Sequence, residues 1–430
     1  MEITLDALEQ YVTEAAKASD KAAQASKDAA EVLGSLLGEE TWTPVFVNAL
    51  REQLKAKGVE PPEGLTLGQL IDLVGTIETV CEPEEPSEPD TPSEPTVDLE
   101  PYKVAWEADR TEMTELVIPE GITKIANGLF QGANELRDLT IPENVTEIGD
   151  YAFDSNSLET LTLNNKITKI GTGAFRYSKT LKSVTTWPKN LYNVPDSCFQ
   201  YAYELETFTF HDLAFEEIGS EAFNNCWKLD NVVLPETLCH IRQNAFCDCH
   251  SLKRIVFPEM LATLGLGAFH SCIELESVTF NEDFSQKYID MNTFASCAKL
   301  KSIELPKSIA SVYTKAFFGC YALETVTFPN KNKNITFQDF AFDGCRSLKE
   351  LDCTSSYIGG YAFRGCTSME RIHIQGVISI LYGAFEGVPS TCEVYLGTDL
   401  ANVMRNAKSW GFASGTLIIC QGGEYDYVVP

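Results

Sequence analysis

From about residue 116 to residue 390 the chain alternates apolar and polar positions in short bursts. Segments such as "LETLTLN", "LKSIELP" and "LETVTFP" place apolar side chains at every second position and are rich in Thr, Val and Ile. That pattern predicts a short strand with one buried and one solvated face. A second burst follows each of them, "VTEIG" or "ITKIG", and then the dipeptide Ala-Phe. Many of the first strands end on proline (Pro142, Pro235, Pro258, Pro306, Pro329), which has no N–H to give a ladder and so closes the strand and turns the chain.

The bursts recur with a fixed period. One line describes them all: Leu-x-x-Leu-x-[Ile/Leu/Phe]-Pro-x-x-[Val/Ile]-x-x-Ile-x-x-x-Ala-Phe-x-x-Cys. Its anchor rings are Phe130, Phe153, Phe175, Phe199, Phe223, Phe246, Phe269, Phe294, Phe317, Phe342, Phe363 and Phe385, spaced by 21 to 25 residues. A single coil of this kind leaves its apolar face bare, and stacked coils cover it. The expectation is a solenoid of about twelve coils, with Cys198 and Thr293 replacing the Ala before Phe and two extra residues bulging at "NKNKNITFQDFAF".

Other periodicities precede the array. Leu5, Leu8, Val12, Ala15, Ser19, Ala22, Ser26, Ala29, Leu33 and Leu36 step by three and four, a heptad seam over residues 3–37. Its middle is Ala and Ser, so it reads either as a self-associating helix or as one folded back on its own domain. Residues 41–80 predict a small helical attachment domain, with Thr43 as N-cap, Pro44 at the first helical position, Gly58 ending that helix and Thr66 starting another. Residues 81–100 form an acidic linker, within which 81–96, with Pro at 83, 86, 89, 92 and 95, reads as a polyproline II spacer roughly 40–50 Å long. The solenoid is assigned to 101–390. Residues 391–430 read as strand, helix, strand, a small α/β cap over its end. The fold class expected is a β-rich leucine-rich solenoid between an N-terminal α-helical domain and this cap.

Composition narrows the functions. The 430 residues carry a formal charge of −29, of which −16 lies in residues 1–100. Such a surface repels phosphate backbones and anionic membranes, which excludes nucleic acid as the expected partner. No apolar run approaches the roughly 18 residues of a membrane span. The start, "MEITLDALEQ", lacks the basic and apolar regions of a secretory signal, so synthesis in the cytosol is expected.

With these motifs in view, the array resembles the BspA-type leucine-rich repeats, found on surface proteins of bacteria and some protists and in bacteriophage proteins. The resemblance covers about residues 113–390 and rests on twelve registers of "IGxxAFxxC"-like phrases. It implies a right-handed β-rich solenoid and no single activity. The stretch "AKSWGFASGTLIIC" is similar to closing segments of phage tail-associated repeat proteins.

Candidate chemistry is sparse. Seven cysteines (Cys226, Cys249, Cys272, Cys297, Cys320, Cys345, Cys366) stand three residues after an anchor Phe, and Ala133 and Ala202 fill the same slot elsewhere. They read as compact hydrophobes in reduced form. "CDCH" at 247–250 has no second ligand pair at zinc spacing, and the five histidines (His211, His240, His250, His270, His373) share no register. No nucleophile elbow, phosphate loop or H-E-x-x-H appears. Neither a cofactor nor a metal nor catalysis is expected.

Recognition falls instead to the outward rows of the first strands. The candidate contact residues are Asp138, Thr160, Thr162, Ser183, Thr185, Thr207, Thr209, Asn231, Arg254, Glu304, Glu350, Asp352, Arg371 and His373. Threonine ladders also simply suit exposed strands, which accounts for most of the row. The row turns charged towards the C-terminal coils, where ligand contacts are sought first, and Trp187 and Trp227 offer stacking surfaces for sugars unless they are packed. The functional expectation is a non-enzymatic fibre or decoration on a virion, binding a host-surface protein or glycan through the solenoid. Other virion or surface proteins would meet residues 1–80, and the first helix would make a homo-oligomer. The alternative is a bacterial cell-surface or secreted adhesin.

Overall fold

Most strands of this solenoid are only two or three residues long, because a turn follows each of these at once. In the computed structural model the described residues are 113–430, apart from 212–214, 331–332, 377–378 and 421–425. The expected opening helix, helical attachment domain and Pro-rich spacer lie outside them.

Each coil has three sides. The first is the Leu-x-x-Leu strand, stacked in parallel and in register on its neighbours: Asp138–Thr140 on Thr160–Thr162, Ser183–Val184 on Thr207–Phe208, and Arg254–Val256 on Ser277–Thr279. The second is the "TEIG" strand, as in Glu147–Ile148 between Lys124–Ile125 and Lys169–Ile170. Between the two lies a corner. There the proline carbonyl accepts the N–H three residues on, as in Val145 to Pro142 (3.1 Å), Leu261 to Pro258 (3.2 Å) and Ile309 to Pro306 (3.1 Å). Proline therefore both ends the ladder and opens the turn.

The corner varies in length. Where two extra residues enter near Asn334, the pairing with the next coil shifts register. In the following coil the corner is absent, and Glu350–Ile358 runs as one nine-residue strand that belongs to both sides. Its first half pairs with Arg371–Gln375 and its end with Ser379–Ile380.

The third side carries the Ala-Phe turn, and its backbone is unusual. Two residues before and two residues after every anchor from Phe130 to Phe385, φ is positive, between 52° and 86°. Fifteen of these positions are not glycine, among them Tyr151, Tyr177, Glu221 and Lys315. A left-handed residue costs about 1 kcal/mol or more away from glycine, and here the stacking offsets it. In one coil the N–H groups of Tyr151, Phe153 and Ser155 donate to Thr172, Ala174 and Arg176 of the next, each at 2.8 Å. The two left-handed residues aim those N–H groups along the axis, so this side too is a hydrogen-bonded ladder.

Inside, the anchor rings form one column. Successive centroids lie 4.8 to 5.9 Å apart with planes within 17°. The column has thirteen rings rather than the expected twelve, because Phe412 stacks on Phe385 at 4.8 Å. The period conceals this ring: 27 residues separate the two, and the helix Leu400–Asn406, N-capped by Asp399, occupies the detour. On its far side Ser409 and Trp410 supply the carbonyls that Gly383 and Phe385 need, both at 2.8 Å. Leu417–Cys420 then adds a parallel strand, and Asp426–Val428 closes the sheet antiparallel. No helix among the described residues is long and apolar enough to cross a membrane.

Candidate binding surface

Packed side chains fill the interior among the described residues. All seven slot cysteines are buried, and each donates S–H to the carbonyl of the anchor Phe in the preceding coil, from Cys226 to Phe199 (3.3 Å) through Cys366 to Phe342 (3.6 Å). Burial holds their thiols well above the ordinary range, Cys320 at about 12. They are packing groups and poor nucleophiles. Ser178 takes the same slot and donates to Phe175 at 2.6 Å. A shallow indentation between Pro306, Lys307, Phe328 and Lys333 has room for about one water molecule. Among the described residues no three His, Cys, Asp or Glu side chains come together as a metal site.

The structure places the sequence candidates in two parallel files on the first sheet. Asp138, Thr160, Ser183, Thr207 and Asn231 stand in register in one file. Arg254 opens its next section, and Glu350 and Arg371 continue it. Thr162, Thr185, Thr209, Glu304, Asp352 and His373 belong to the second file, two residues along each strand.

The two ends of these files differ in chemistry. At the C-terminal end the charges engage one another: Arg371 bonds Glu350 at 3.2 Å and reaches Glu393 at 3.8 Å, while His373 Nδ1 meets Asp352 at 3.0 Å. Tyr395 sets its edge against His373. Groups expected to meet a ligand are thus occupied as links between coils. Between Asp138 and Arg254 the files hold Thr160, Thr162, Ser183, Thr185, Thr207, Thr209, Asn231 and Val233 without a single charge. Val233 and Val256, which the sequence places in the same outward row, are 73% and 60% exposed and add apolar surface to it.

Flanking rows show why the neutral stretch stands out. One position before the first file stands a charged row, Arg137, Glu159, Lys182, Glu206, Asp230, Lys253, Glu276, Lys301, Glu324, Lys349 and Glu370, whose sign alternates from coil to coil except between Glu206 and Asp230. Lys301 meets Glu276 at 2.9 Å and Lys349 meets Glu324 at 2.5 Å, and the pairing lowers both carboxyls. Exposed pairs of this kind are individually weak, yet a one-coil slip would place like charges together.

The tryptophans do not offer sugar-stacking faces. Trp187 is buried against Phe199 and Phe208 and donates its indole N–H to Asn193. Trp227 is 42% exposed, but its faces are taken by Tyr203 (4.2 Å) and His250 (5.8 Å), so its edge meets solvent. Together with the stacked Tyr177 and Tyr201 it forms an external aromatic seam.

Parallel coils of this length, each with an anchor ring and a Leu-x-x-Leu strand, define a leucine-rich-repeat solenoid. The model of the BspA type leucine rich repeat region matches residues 108–226, 216–349 and 287–409 in six copies. The chain belongs to that family. In three dimensions it is similar to a leucine-rich repeat protein from Bacteroides ovatus ATCC 8483, at 24% identity and a TM-score of 0.62, over 72% of this chain and 78% of that one. A leucine rich cell surface protein from Faecalibacterium prausnitzii A2-165 matches at 24% identity and a TM-score of 0.34, over 60% and 78% of the two chains. No curated protein sequence matches the chain.

Proposed function

We propose that the chain is a non-enzymatic binding protein displayed at a bacterial cell surface, and that it holds a macromolecular ligand, glycan or protein, against the neutral section of its first sheet. The observation that carries this is the eight-residue block from Thr160 to Val233, uncharged and outward over four coils of a chain whose net charge is −29. Desolvating hydroxyls and methyl groups costs far less than desolvating charges, so this block is the part of the sheet best suited to burial against a partner. The closed interior supports a broad contact on the outside rather than a small molecule in a cavity. BspA-type membership supports display at a bacterial surface. The virion-fibre expectation gains no support from the family match, which fits the surface reading at least as well.

The test is adhesion of the full chain to immobilised neutral polysaccharides and to fixed cells, comparing wild type with the triple variant Thr162→Arg, Thr185→Arg, Thr209→Arg. Binding should fall by at least tenfold with the melting temperature unmoved. Equal adhesion by both proteins would reject the neutral block as the contact surface.

A further inference from the structure

The outward rows of the second sheet change character part-way along. In the row just before the buried Ile, early coils carry Lys124, Glu147, Lys169, Asn193, Glu217 and His240; Lys124 meets Glu147 at 3.0 Å and Glu217 pairs with Arg242. From Thr263 onward the row continues as Tyr288, Ser311, Thr336, Tyr357 and Ser379, six coils without a charge. The row two residues further on holds one charge over the same coils, Asp290.

That change falls where the ladder breaks. Thr263–Leu264 ends one section of the sheet and Tyr288–Ile289 begins the next, with no strand pairing between them. Buried Gln286 bridges the gap: its side chain accepts the Leu264 N–H at 2.7 Å and donates to the carbonyls of Leu264 (3.1 Å) and Tyr288 (2.9 Å). Tyr288 is thus first in its section. On one side Tyr313 of the following coil lies flat against its ring, with centroids 4.9 Å apart and planes within 1°. The other side is turned towards the preceding coil, where these two rows present only Thr263 and Gly265, and 37% of Tyr288 is exposed.

Asp290 borders the same space. It stands two residues beyond Tyr288, and Gly265 occupies its row in the coil before. The carboxyl is half-buried, accepts the Met291 N–H at 2.7 Å and joins no ion pair among the described residues. Burial raises it above the ordinary carboxyl range, and burial followed by Asp290 raises the Tyr288 phenol. A carboxylate with one donor keeps most of its accepting capacity for a ligand. An open ring face beside such an acceptor suits a pyranose, whose C–H face is apolar and whose hydroxyls donate. Asp290 and the net charge of −29 both disfavour an acidic sugar. Three coils and two rows cover roughly 10 Å by 7 Å, far short of the ~800 Å² that a standard protein contact takes from each side. We infer that Tyr288 and Asp290, over a floor of Thr263 and Gly265, form a second binding site for one unit of a neutral glycan, with the sugar's C–H face on the ring and its hydroxyls donating to the carboxyl. This site is separate from the neutral block of the first sheet and does not depend on it.

The experiment is saturation-transfer NMR of the full chain with the methyl glycosides of glucose, galactose, mannose and N-acetylglucosamine, and with glucuronic acid as a charged counterpart. At least one neutral probe should take up saturation at its ring C–H protons, and glucuronic acid should take up less. Asp290→Asn and Tyr288→Ala should each weaken that binding by about tenfold or more. Tyr192→Ala, at a 53% exposed ring on the charged part of the same sheet, and the first-sheet triple variant should leave it unchanged. No uptake by any neutral probe, equal binding by Asp290→Asn, or a preference for glucuronic acid would overturn the inference. Adhesion to cells that is lost in Asp290→Asn with no sugar bound by wild type would assign the site to a protein and overturn it as well. Circular dichroism checks the fold of each variant, and if Tyr288→Ala unfolds, the near-isosteric Asp290→Asn decides.

Discussion

The ring column and the strand files run side by side for the length of the solenoid, yet they tolerate change in opposite ways. Along the column, one side chain is repeated with centroid spacings inside about one ångström of each other. Along the files, residues two coils apart differ in charge, size and polarity. The difference teaches which constraint each position answers to. A ring must fit the rings above and below it in a close-packed interior, whereas a file residue needs only a β-compatible shape and a tolerable neighbour. The slot thiols and left-handed turns fall with the column, and the neutral block, the ion-pair ladders and the corner fall with the files.

Four measurements break or sharpen that contrast. The largest effect is collective and alkaline. The slot thiols are raised in the native state, so below about pH 9 both states are protonated and stability is fully present; above it the unfolded chain ionises while the native interior does not. Stability is then lost as pH rises towards the native values, at about 1.4 kcal/mol per pH unit for each buried thiol. Urea midpoints should drop steeply between pH 9 and 11, and Val at Cys272 and Cys297 should flatten the slope. A flat wild-type profile would place the thiols outside the core.

Second is Phe246→Ala, which removes one ring from the column and should cost about 3–5 kcal/mol in urea unfolding; a change near zero would dissolve the proposed stacking. Third is Gly171→Ala. A Cβ there would come within 2.4 Å of the Asp150 backbone nitrogen in the preceding coil, so a loss of about 1–3 kcal/mol is expected. Full stability would mean that the coils sit further apart at this point. The smallest effect belongs to the files: Arg371→Gln, which unlinks Glu350 and Glu393, should cost under about 1 kcal/mol, and less in high salt. A loss comparable to that of Phe246→Ala would erase the distinction between column and file.

Much of the column was legible because its signal is a repeated residue at a repeated spacing. Phe130 through Phe385, the corner prolines and the slot thiols needed only alignment of the chain with itself. Phe412 was hidden because a helix lengthens the last coil, so only the stacking recovers the period. The left-handed pairs were visible in part: Gly, Asn and Asp recur around the anchors, but Tyr151, Glu221 and Lys315 hold the same conformation, and stacking rather than local preference puts them there. The candidate surface was legible as rows but not as chemistry. Arg371 and Asp352 looked free in the sequence because their partners lie about one coil away, and the neutral block became distinct once the charged row beside it was laid out.

The variable corner has a practical meaning for anyone who would re-engineer the protein. It absorbs two added residues near Asn334 and vanishes altogether one coil later, while the rings on either side keep spacings of 4.9 and 5.3 Å. Foreign loops, epitopes or tags inserted at Pro258–Leu261 should therefore be carried without penalty to folding, and sequence drift in this lineage should gather its insertions and deletions along that one edge.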